Sequence, residues 1–187
     1  YGQSITFNGV NVANGTITGS GVALPNGNFV VGVKGTSILT NVNVIVNDEG
    51  GSIPRAAIIT WSGSNVTLNN CNVTTTVTEA EFGAVQVTGT TTINGGNIAG
   101  YITYNDLNGA ILLTINDCSE VILNFPYTIT VDSDVLELNN TTVSETVIGW
   151  DDSSANTGSD PTPNTTPVNV IFDDTYNLGT IRPAESQ

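Results

Sequence analysis

The chain has no histidine and no methionine, and only three cations, Lys34, Arg55 and Arg182, stand against 17 acidic residues among 187. Without histidine, Ser-His and Cys-His nucleophilic pairs and histidine-ligated zinc sites are excluded. A formal net charge of −14 repels the phosphates of nucleic acids and anionic membranes, so we exclude both as partners. No run of about 18 apolar residues occurs, so the sequence predicts no membrane span.

What the sequence does contain is a nine-residue pattern, clearest at residues 65–73, that returns about six times. Each copy has an apolar anchor residue, and the anchors are Phe7, Leu39, Leu68, Ile93, Ile115 and Leu138. Two positions after each anchor stands a Gly, Asn or Asp: Gly9, Asn41, Asn70, Gly95, Asp117 and Asn140. Because these three residue types enter the left-handed backbone region most cheaply, a sharp bend is predicted at that position in every copy.

Asparagine dominates the position directly after the anchor, which holds Asn8, Thr40, Asn69, Asn94, Asn116 and Asn139. Apolar and polar residues alternate on both sides of the bend, which indicates two short strands joined by a tight corner. A bend at a constant place in each copy requires the copies to stack. Each coil would then lie about 4.8 Å above the previous one, with the asparagines hydrogen-bonded in a ladder.

These residues resemble the right-handed parallel β-helix of the pectate-lyase-like superfamily, whose coils carry a corner of the form apolar, x, Asn or Gly, apolar, x, apolar. The resemblance implies an all-β, right-handed parallel β-helix (a solenoid) of about six to seven coils over residues 1–150, with an irregular C-terminal extension over 151–187. The predicted structural residues are Asn69, Asn70, Asn94, Asn116, Asn139, Leu68, Ile93 and Ile115. The architecture hosts lyases, hydrolases, phage tailspikes and inert surface proteins, so it does not define an activity.

A second set of alternating apolar residues precedes most anchors and predicts a further strand in each coil. Its members are Val31 and Val33, Ile59 and Trp61, Val85 and Val87, Ile102 and Tyr104, and Ile129 and Val131. Insertions at 48–54, 76–82 and 105–109 are expected at the corners, where solenoids usually build a binding face.

The two cysteines, Cys71 and Cys118, occupy the same slot of the pattern, two coils apart, with Gly96 between them. Their Cα atoms should therefore lie about 9.6 Å apart, beyond the limit of about 7 Å for a disulfide. We expect two buried free thiols that pack as small hydrophobes.

Glycoside hydrolysis needs two carboxylates about 5 to 10 Å apart. The candidate pairs are Asp132 with Asp134, Asp151 with Asp152, Glu79 with Glu81, and Asp173 with Asp174. Adjacent acids in polar loops are usually solvated. Lyases of the resembled family use a basic residue, and no motif aligns Lys34 or Arg55 with it. We therefore predict no catalytic residue and no enzymatic activity. No cofactor is expected. The oxygen ligands of Asp48 with Glu49, or of the acids after Trp150, could bind a calcium ion.

The pattern begins almost at the first residue, and helical periodicity is absent at both ends of the chain. Open β-helix ends expose strand edges and apolar interior, which end-to-end stacking would cover. The sequence therefore predicts a non-enzymatic structural subunit of a filament, a homopolymer assembled head to tail. Subunit contacts are predicted at Ile5, Phe7, Val168, Val170 and Phe172, the last three in a short apolar run that either closes the last coil or adds to a neighbouring subunit.

Two other functions stay open. The chain could be part of a tailspike or adhesin that binds or cleaves a surface polysaccharide on its lateral face, or an ice binder that uses an outward stack of Thr6, Thr67, Thr92 and Thr114. Ile38 and Glu137 break that stack. The first residue is Tyr1 and no methionine follows, which predicts a processed chain or a fragment, and abundant Asn and Thr with one Lys favour an extracellular, cell-surface or virion-surface location.

Overall fold

The computed structural model describes residues 4–20, 29–47, 56–76, 83–106, 109–126, 129–148 and 170–183. Within these ranges the chain forms sixteen strands and no helix. The first eight are β1 (Ile5–Asn8), β2 (Asn11–Ser20), β3 (Phe29–Lys34), β4 (Thr36–Asn47), β5 (Ala56–Thr60), β6 (Asn65–Thr75), β7 (Gly83–Val87) and β8 (Thr90–Ile98). The others are β9 (Tyr101–Tyr104), β10 (Leu113–Asn116), β11 (Val121–Phe125), β12 (Thr130–Val131), β13 (Leu136–Asn139), β14 (Val143–Ile148), β15 (Ile171–Phe172) and β16 (Thr180–Pro183).

The strands form two main parallel sheets. Sheet A has eight strands in the order β1-β3-β5-β7-β9-β11-β14-β16, and sheet B has six in the order β2-β4-β6-β8-β10-β13, while β12 and β15 form a small third sheet. Through β11, strands of sheets A and B alternate along the chain, and each pairs in parallel with its equivalent in the next coil. The protein is therefore an all-β parallel solenoid, as the sequence predicts. Its right-handedness stays a prediction, in line with the strong preference of parallel crossovers for that hand.

The anchor residues lie above one another in sheet B. Leu39, Leu68, Ile93, Ile115 and Leu138 form one continuous register of Cα partners. Four coils, from β3 with β4 to β9 with β10, have a neighbouring coil on both sides in both sheets. The solenoid thus has about four turns enclosed by neighbours, fewer than the six to seven coils expected from the sequence.

The prediction for the first coil is wrong. Phe7 lies in β1 of sheet A opposite Val33, whereas Val12 in β2 is the residue paired with Leu39. Asn14, with φ of 57°, therefore makes the bend of this coil in sheet B. Phe7 and Val12 are both followed two residues later by Gly or Asn, so the local pattern fits both and only the strand pairing separates them.

Val131 lies in a strand before the anchor Leu138, as predicted, but this strand is not the one that stacks on Ile102. The strand that pairs with β9 is β11, which places Leu123 opposite Ile102. Val131 lies in β12 and pairs with Phe172 of β15. Of the predicted insertions, residues 48–54, 77–82 and 107–108 lie outside the described residues, as do residues 151–169 of the predicted C-terminal extension.

Alternate residues of both sheets point into one continuous core. The anchors Leu39, Leu68, Ile93 and Ile115 are fully buried. Burying a side chain of this size contributes about 1.5 to 3 kcal/mol, so the stacked apolar columns are the main source of stability. None of the described residues belongs to a helix long and apolar enough to cross a lipid bilayer.

A left-handed backbone conformation recurs at the bend of every described coil in sheet B. The φ angles there are 57° at Asn14, 53° at Asn41, 49° at Asn70, 62° at Gly95, 56° at Asp117 and 49° at Asn140. The bend predicted from the Gly, Asn or Asp position is therefore present. Asn and Asp tolerate this conformation because their short side chains can hydrogen-bond locally.

Cys71 and Cys118 are buried free thiols, as predicted. The Cys71 thiol donates to the carbonyl of Leu39 at 3.4 Å, and the Cys118 thiol donates to the carbonyl of Gly95 at 3.7 Å. Burial raises the pKa of both thiols above the ordinary value of a cysteine. Gly96 pairs with Cys71 in the slot between the two cysteines.

Both thiols should therefore resist alkylation in the folded protein. Burial blocks access, and a raised pKa leaves less of the reactive thiolate at neutral pH. Iodoacetamide followed by mass spectrometry is expected to label neither cysteine under native conditions and both in guanidinium chloride. Labelling of either one in the folded chain would contradict the stacked arrangement.

Gly96 is the position where a side chain should be least tolerated. Its φ is 89°, and a Cβ atom there would lie 2.0 Å from the carbonyl oxygen of Cys71. We expect Gly96→Ala to lower the free energy of unfolding by about 3 kcal/mol or more. The matched control is Gly15→Ala, because a Cβ at Gly15 meets no atom within 4 Å. Thermal unfolding followed by circular dichroism measures both, and equal melting temperatures would contradict the assigned backbone.

Candidate functional site

Asparagine side chains just before the bend form a ladder along sheet B. The amide of Asn139 donates to Asn116 at 2.8 Å, Asn116 to Asn94 at 2.7 Å, Asn94 to Asn69 at 2.7 Å and Asn69 to the hydroxyl of Thr40 at 3.4 Å. The predicted structural residues Asn69, Asn94, Asn116 and Asn139, with Thr40, thus link five successive coils from outside the core.

Two further ladders run beside the first. At the bend, Asn41 donates to Asn14 at 3.1 Å, Asn70 to Asn41 at 2.9 Å and Asn140 to Asp117 at 2.9 Å; after it, Asn72 donates to Asn43 at 2.9 Å. A carboxylate only accepts hydrogen bonds, so Asp117 requires Asn140 to donate toward the N-terminal end of the stack. In each of these bonds the donor belongs to the coil nearer the C-terminus, so the side-chain ladders run in one direction along the solenoid axis.

The N-terminal end of the solenoid is open at both edge strands, β1 and β2, within the described residues. Ile5 is 42% and Val10 39% exposed, and Phe7, Val12 and Ile17 pack on the core but are only partly buried. The N–H of Gly9 donates to the carbonyl of Lys34. In a parallel ladder, the backbone N–H and C=O of every second residue face the same neighbouring strand. Those of Phe7 and Ile5 therefore face β3 like those of Gly9, whereas the N–H and C=O of Thr6 face outward.

The C-terminal end is partly covered by the chain itself. Residues 173–178 pass over β13, where the hydroxyl of Tyr176 donates to the carbonyl of Leu136. Leu178 is 7% exposed, and its carbonyl accepts a hydrogen bond from Thr146 at 2.9 Å. The sequence does not predict this cover, because the few apolar residues of this polar stretch form no repeat pattern.

The predicted subunit contacts at the C-terminus have partners within this chain. Val170 and Phe172 pack against its core, and the ring of Phe172 lies 5.7 Å from that of Phe125. Val168 lies outside the described residues. Their contact with a second subunit stays a prediction.

One interior column of sheet A runs from the first strand to the last. Its members, in register, are Ile5, Val31, Ile58, Val85, Ile102, Leu123, Thr146 and Ile181. The six inner side chains are at most 1% exposed, whereas Ile5 and Ile181 at the two ends are 42% and 47% exposed. The two ends of the solenoid therefore each present an apolar side chain at the same lateral position.

Charge is distributed unevenly along the axis. Among the described residues before 106, Lys34 is the only charged one, and its ammonium lies 4.3 Å from the ring centre of Trp61. All described acidic residues follow: Asp106, Asp117, Glu120, Asp132, Asp134, Glu137, Glu145, Asp173 and Asp174. The N-terminal half of the described solenoid is thus nearly neutral and the C-terminal half is acidic.

The candidate catalytic carboxylates that the structure describes shape turns. Asp132 accepts a hydrogen bond from the N–H of Asp134 at 2.9 Å, and Asp173 accepts one from the N–H of Thr175 at 2.9 Å. Burial, together with Asp173, Asp132 and other nearby acids, raises the pKa of Tyr176. Within the part of the chain that the structure describes, no three acidic or cysteine side chains are grouped to hold a metal ion.

The remaining acidic candidates lie outside the described residues: Asp48, Glu49, Glu79, Glu81, Asp151 and Asp152.

Arg182 forms an ion pair with Glu145 and donates to the hydroxyl of Tyr101 at 3.0 Å, which ties the last strand to the preceding coils. Two open grooves, of about 490 and 520 Å³, border β13 and the bend that follows it. Both lie at the acidic end of the solenoid.

The threonine stack is shorter than predicted. Thr67, Thr92 and Thr114 are in register on sheet B, between Ile38 and Glu137. Thr6 lies in sheet A opposite Gly32, so its place in the stack is a wrong prediction that has the same cause as the misplaced Phe7.

Comparison with known proteins found no matching family model, no matching curated protein and no matching solved structure. The fold and its surfaces define the class as a parallel β-solenoid protein with asparagine ladders. The candidate functional surfaces are its two ends and the outer faces of its sheets.

The asparagine ladder should contribute measurably to stability, most in its middle. Asn94 makes two ladder hydrogen bonds, and Asn139 makes one among the described residues. We expect Asn94→Ala to lower the free energy of unfolding by about 1 to 2 kcal/mol and Asn139→Ala by about half as much, because each lost bond leaves a partner unpaired. Urea unfolding midpoints measure both; a larger effect at Asn139 would contradict the ladder.

Proposed function

We propose that this protein is a non-enzymatic structural subunit of an extracellular or cell-surface filament, in which copies stack head to tail through the edges β16 and β1. The observation that carries the proposal is the interior column of sheet A, whose two end members, Ile5 and Ile181, are exposed. Placing Ile181 of one copy under Ile5 of the next would bury both side chains and continue the column.

The backbone supports the same contact. In β1 the N–H and C=O of Thr6 face outward, and the alternation of the ladder gives the same orientation to Ile181 in β16. A parallel pairing of these edges lets the N–H of Ile181 donate to the carbonyl of Ser4, and the N–H of Thr6 donate to the carbonyl of Ile181. Two open strand edges, which are otherwise sites of uncontrolled association, would then be satisfied.

Charge favours this polarity. A head-to-tail contact places the neutral N-terminal end against the acidic C-terminal end, whereas a tail-to-tail contact would bring together the acids around Asp132 and Asp173. Like charges placed together cost several kcal/mol at an interface. A head-to-tail contact does not close on itself unless its rotation forms a ring, so it builds filaments. The high Asn and Thr content with a single lysine supports a location outside the cell.

Thr6→Pro should block assembly and leave the fold intact. Proline removes an N–H that faces outward, and its ring occupies the edge on which the next copy would pair. An unpaired buried carbonyl costs about 1 to 3 kcal/mol, so the critical concentration should rise about tenfold or more. Sedimentation and negative-stain electron microscopy measure it, and Thr6→Val, which keeps the N–H, is the matched control.

The opposite end is tested with Ile181→Asp, which should raise the critical concentration as Thr6→Pro does, whereas Ile181→Val should not. Light scattering of the wild type distinguishes a filament from a closed dimer. A wild type that stays monomeric at high concentration without fibres overturns the proposal. So does a dimer that Thr6→Pro disrupts and Ile181→Asp leaves unchanged, because that dimer would join two N-terminal ends.

A further inference from the structure

The outer face of sheet B before the bend, from β4 to β10, is regular and carries no charged residue. The outward side chains of β4, β6, β8 and β10 there are all Thr or Asn except Ile38. At its centre lie Thr67, Thr92, Thr114, Asn69, Asn94 and Asn116, and we call this surface the threonine–asparagine face. Its strands pair without a register shift from Thr36 to Asn116 on this side of the bend, so its rows repeat about every 4.8 Å.

Removing this face from water costs little free energy. Its asparagine amides already bond to one another at 2.7 Å, and buried polar groups are costly mainly when they lack such partners. The threonines add methyl groups to the same surface. Rows of identical Asn and Thr side chains on parallel, in-register strands are the surfaces that mesh in dry interfaces between paired sheets.

The charge distribution indicates what covers it. The chain carries a net charge of −14, which keeps copies apart, yet no charged residue points outward from this face between β4 and β10. A second copy can therefore approach β4, β6 and β8 without repulsion between carboxylates. The nearest described carboxylate, that of Glu137 in β13, accepts a hydrogen bond from Thr114 at 3.4 Å and borders the face on one side. The face thus suits the same face of another copy.

The size of the face determines when it is used. Four strands about 4.8 Å apart and five residues of about 3.3 Å each give roughly 300 Å². A stable interface needs about 800 Å² on each partner, so two single copies would not associate through this face alone. Copies stacked in a filament repeat it along the axis, and many weak contacts then act together.

We infer that the threonine–asparagine face joins filaments side by side into bundles, its partner being the same face on a neighbouring filament. The inference rests on the proposed head-to-tail filament. Thr92 lies at its centre, between Thr67 and Thr114.

Thr92→Glu tests the inference, because each subunit then adds a carboxylate to both sides of the lateral contact. We expect normal single filaments, which sediment at high speed, and a fall of about tenfold or more in the bundles that sediment at low speed, since the repulsion repeats along the filament. Added salt should restore part of the bundling by screening. The matched control is Thr74→Glu, an exposed outward residue of β6 beyond the bend, which should leave bundles intact.

The outcomes separate the two proposals. Wild-type filaments that never bundle, or bundles that persist in Thr92→Glu, overturn the lateral contact and leave the filament standing. The absence of filaments overturns both. If the wild type forms no bundles, two further measurements identify what the face binds. Thermal hysteresis that Thr92→Glu abolishes would assign the face to ice, and co-sedimentation with an insoluble neutral polysaccharide that Thr92→Glu abolishes would assign it to a glycan. Either result would overturn the inference.

Discussion

The left-handed bend that recurs in each coil is the constraint on which the rest of the structure depends. Asn41, Asn70, Gly95, Asp117 and Asn140 each redirect the chain at the same point, so the strands before and after the bend repeat in one direction from coil to coil. Only then can the backbone hydrogen bonds of successive coils align in parallel ladders. The asparagine ladders follow from this alignment, because side chains in equivalent positions lie one strand spacing apart.

In a stack of this kind, the backbone groups and apolar side chains of the inner coils are covered by neighbouring coils, whereas those of the end coils lack a neighbour on one side. The coils in the middle bury Val31, Ile58, Val85 and Ile102 completely, because a neighbouring coil covers each of them on both sides. The end coils lack one neighbour, and this chain treats its two ends differently. Residues 173–178 cover β13 at one end through Tyr176 and Leu178, whereas the described residues of β1 and β2 leave Ile5 and Val10 exposed at the other.

The distribution of charge follows the same axis. The described coils before residue 106 carry Lys34 alone, and the acidic side chains are concentrated near the covered end. A solenoid whose described residues are nearly neutral toward one end and acidic toward the other has a built-in direction, and its asparagine ladders also run in one direction. The proposed filament uses the ends of this molecule, and the proposed bundle uses its neutral side.

Residue types and their spacing are sufficient to predict the all-β solenoid, the bends, the stacking of Leu68, Ile93 and Ile115, and the free thiols of Cys71 and Cys118. These are local properties, because residue type sets which side a strand position faces and where the backbone can turn left-handed. Three features follow instead from contacts between distant segments: Val12 rather than Phe7 anchors the first coil, β11 pairs with β9, and residues 173–178 cover one end. In the first two cases, segments with the same local pattern compete for one position, and in the third a segment without any pattern makes the contact. The free energy of pairing distant parts of the chain decides all three, and a local pattern does not contain it.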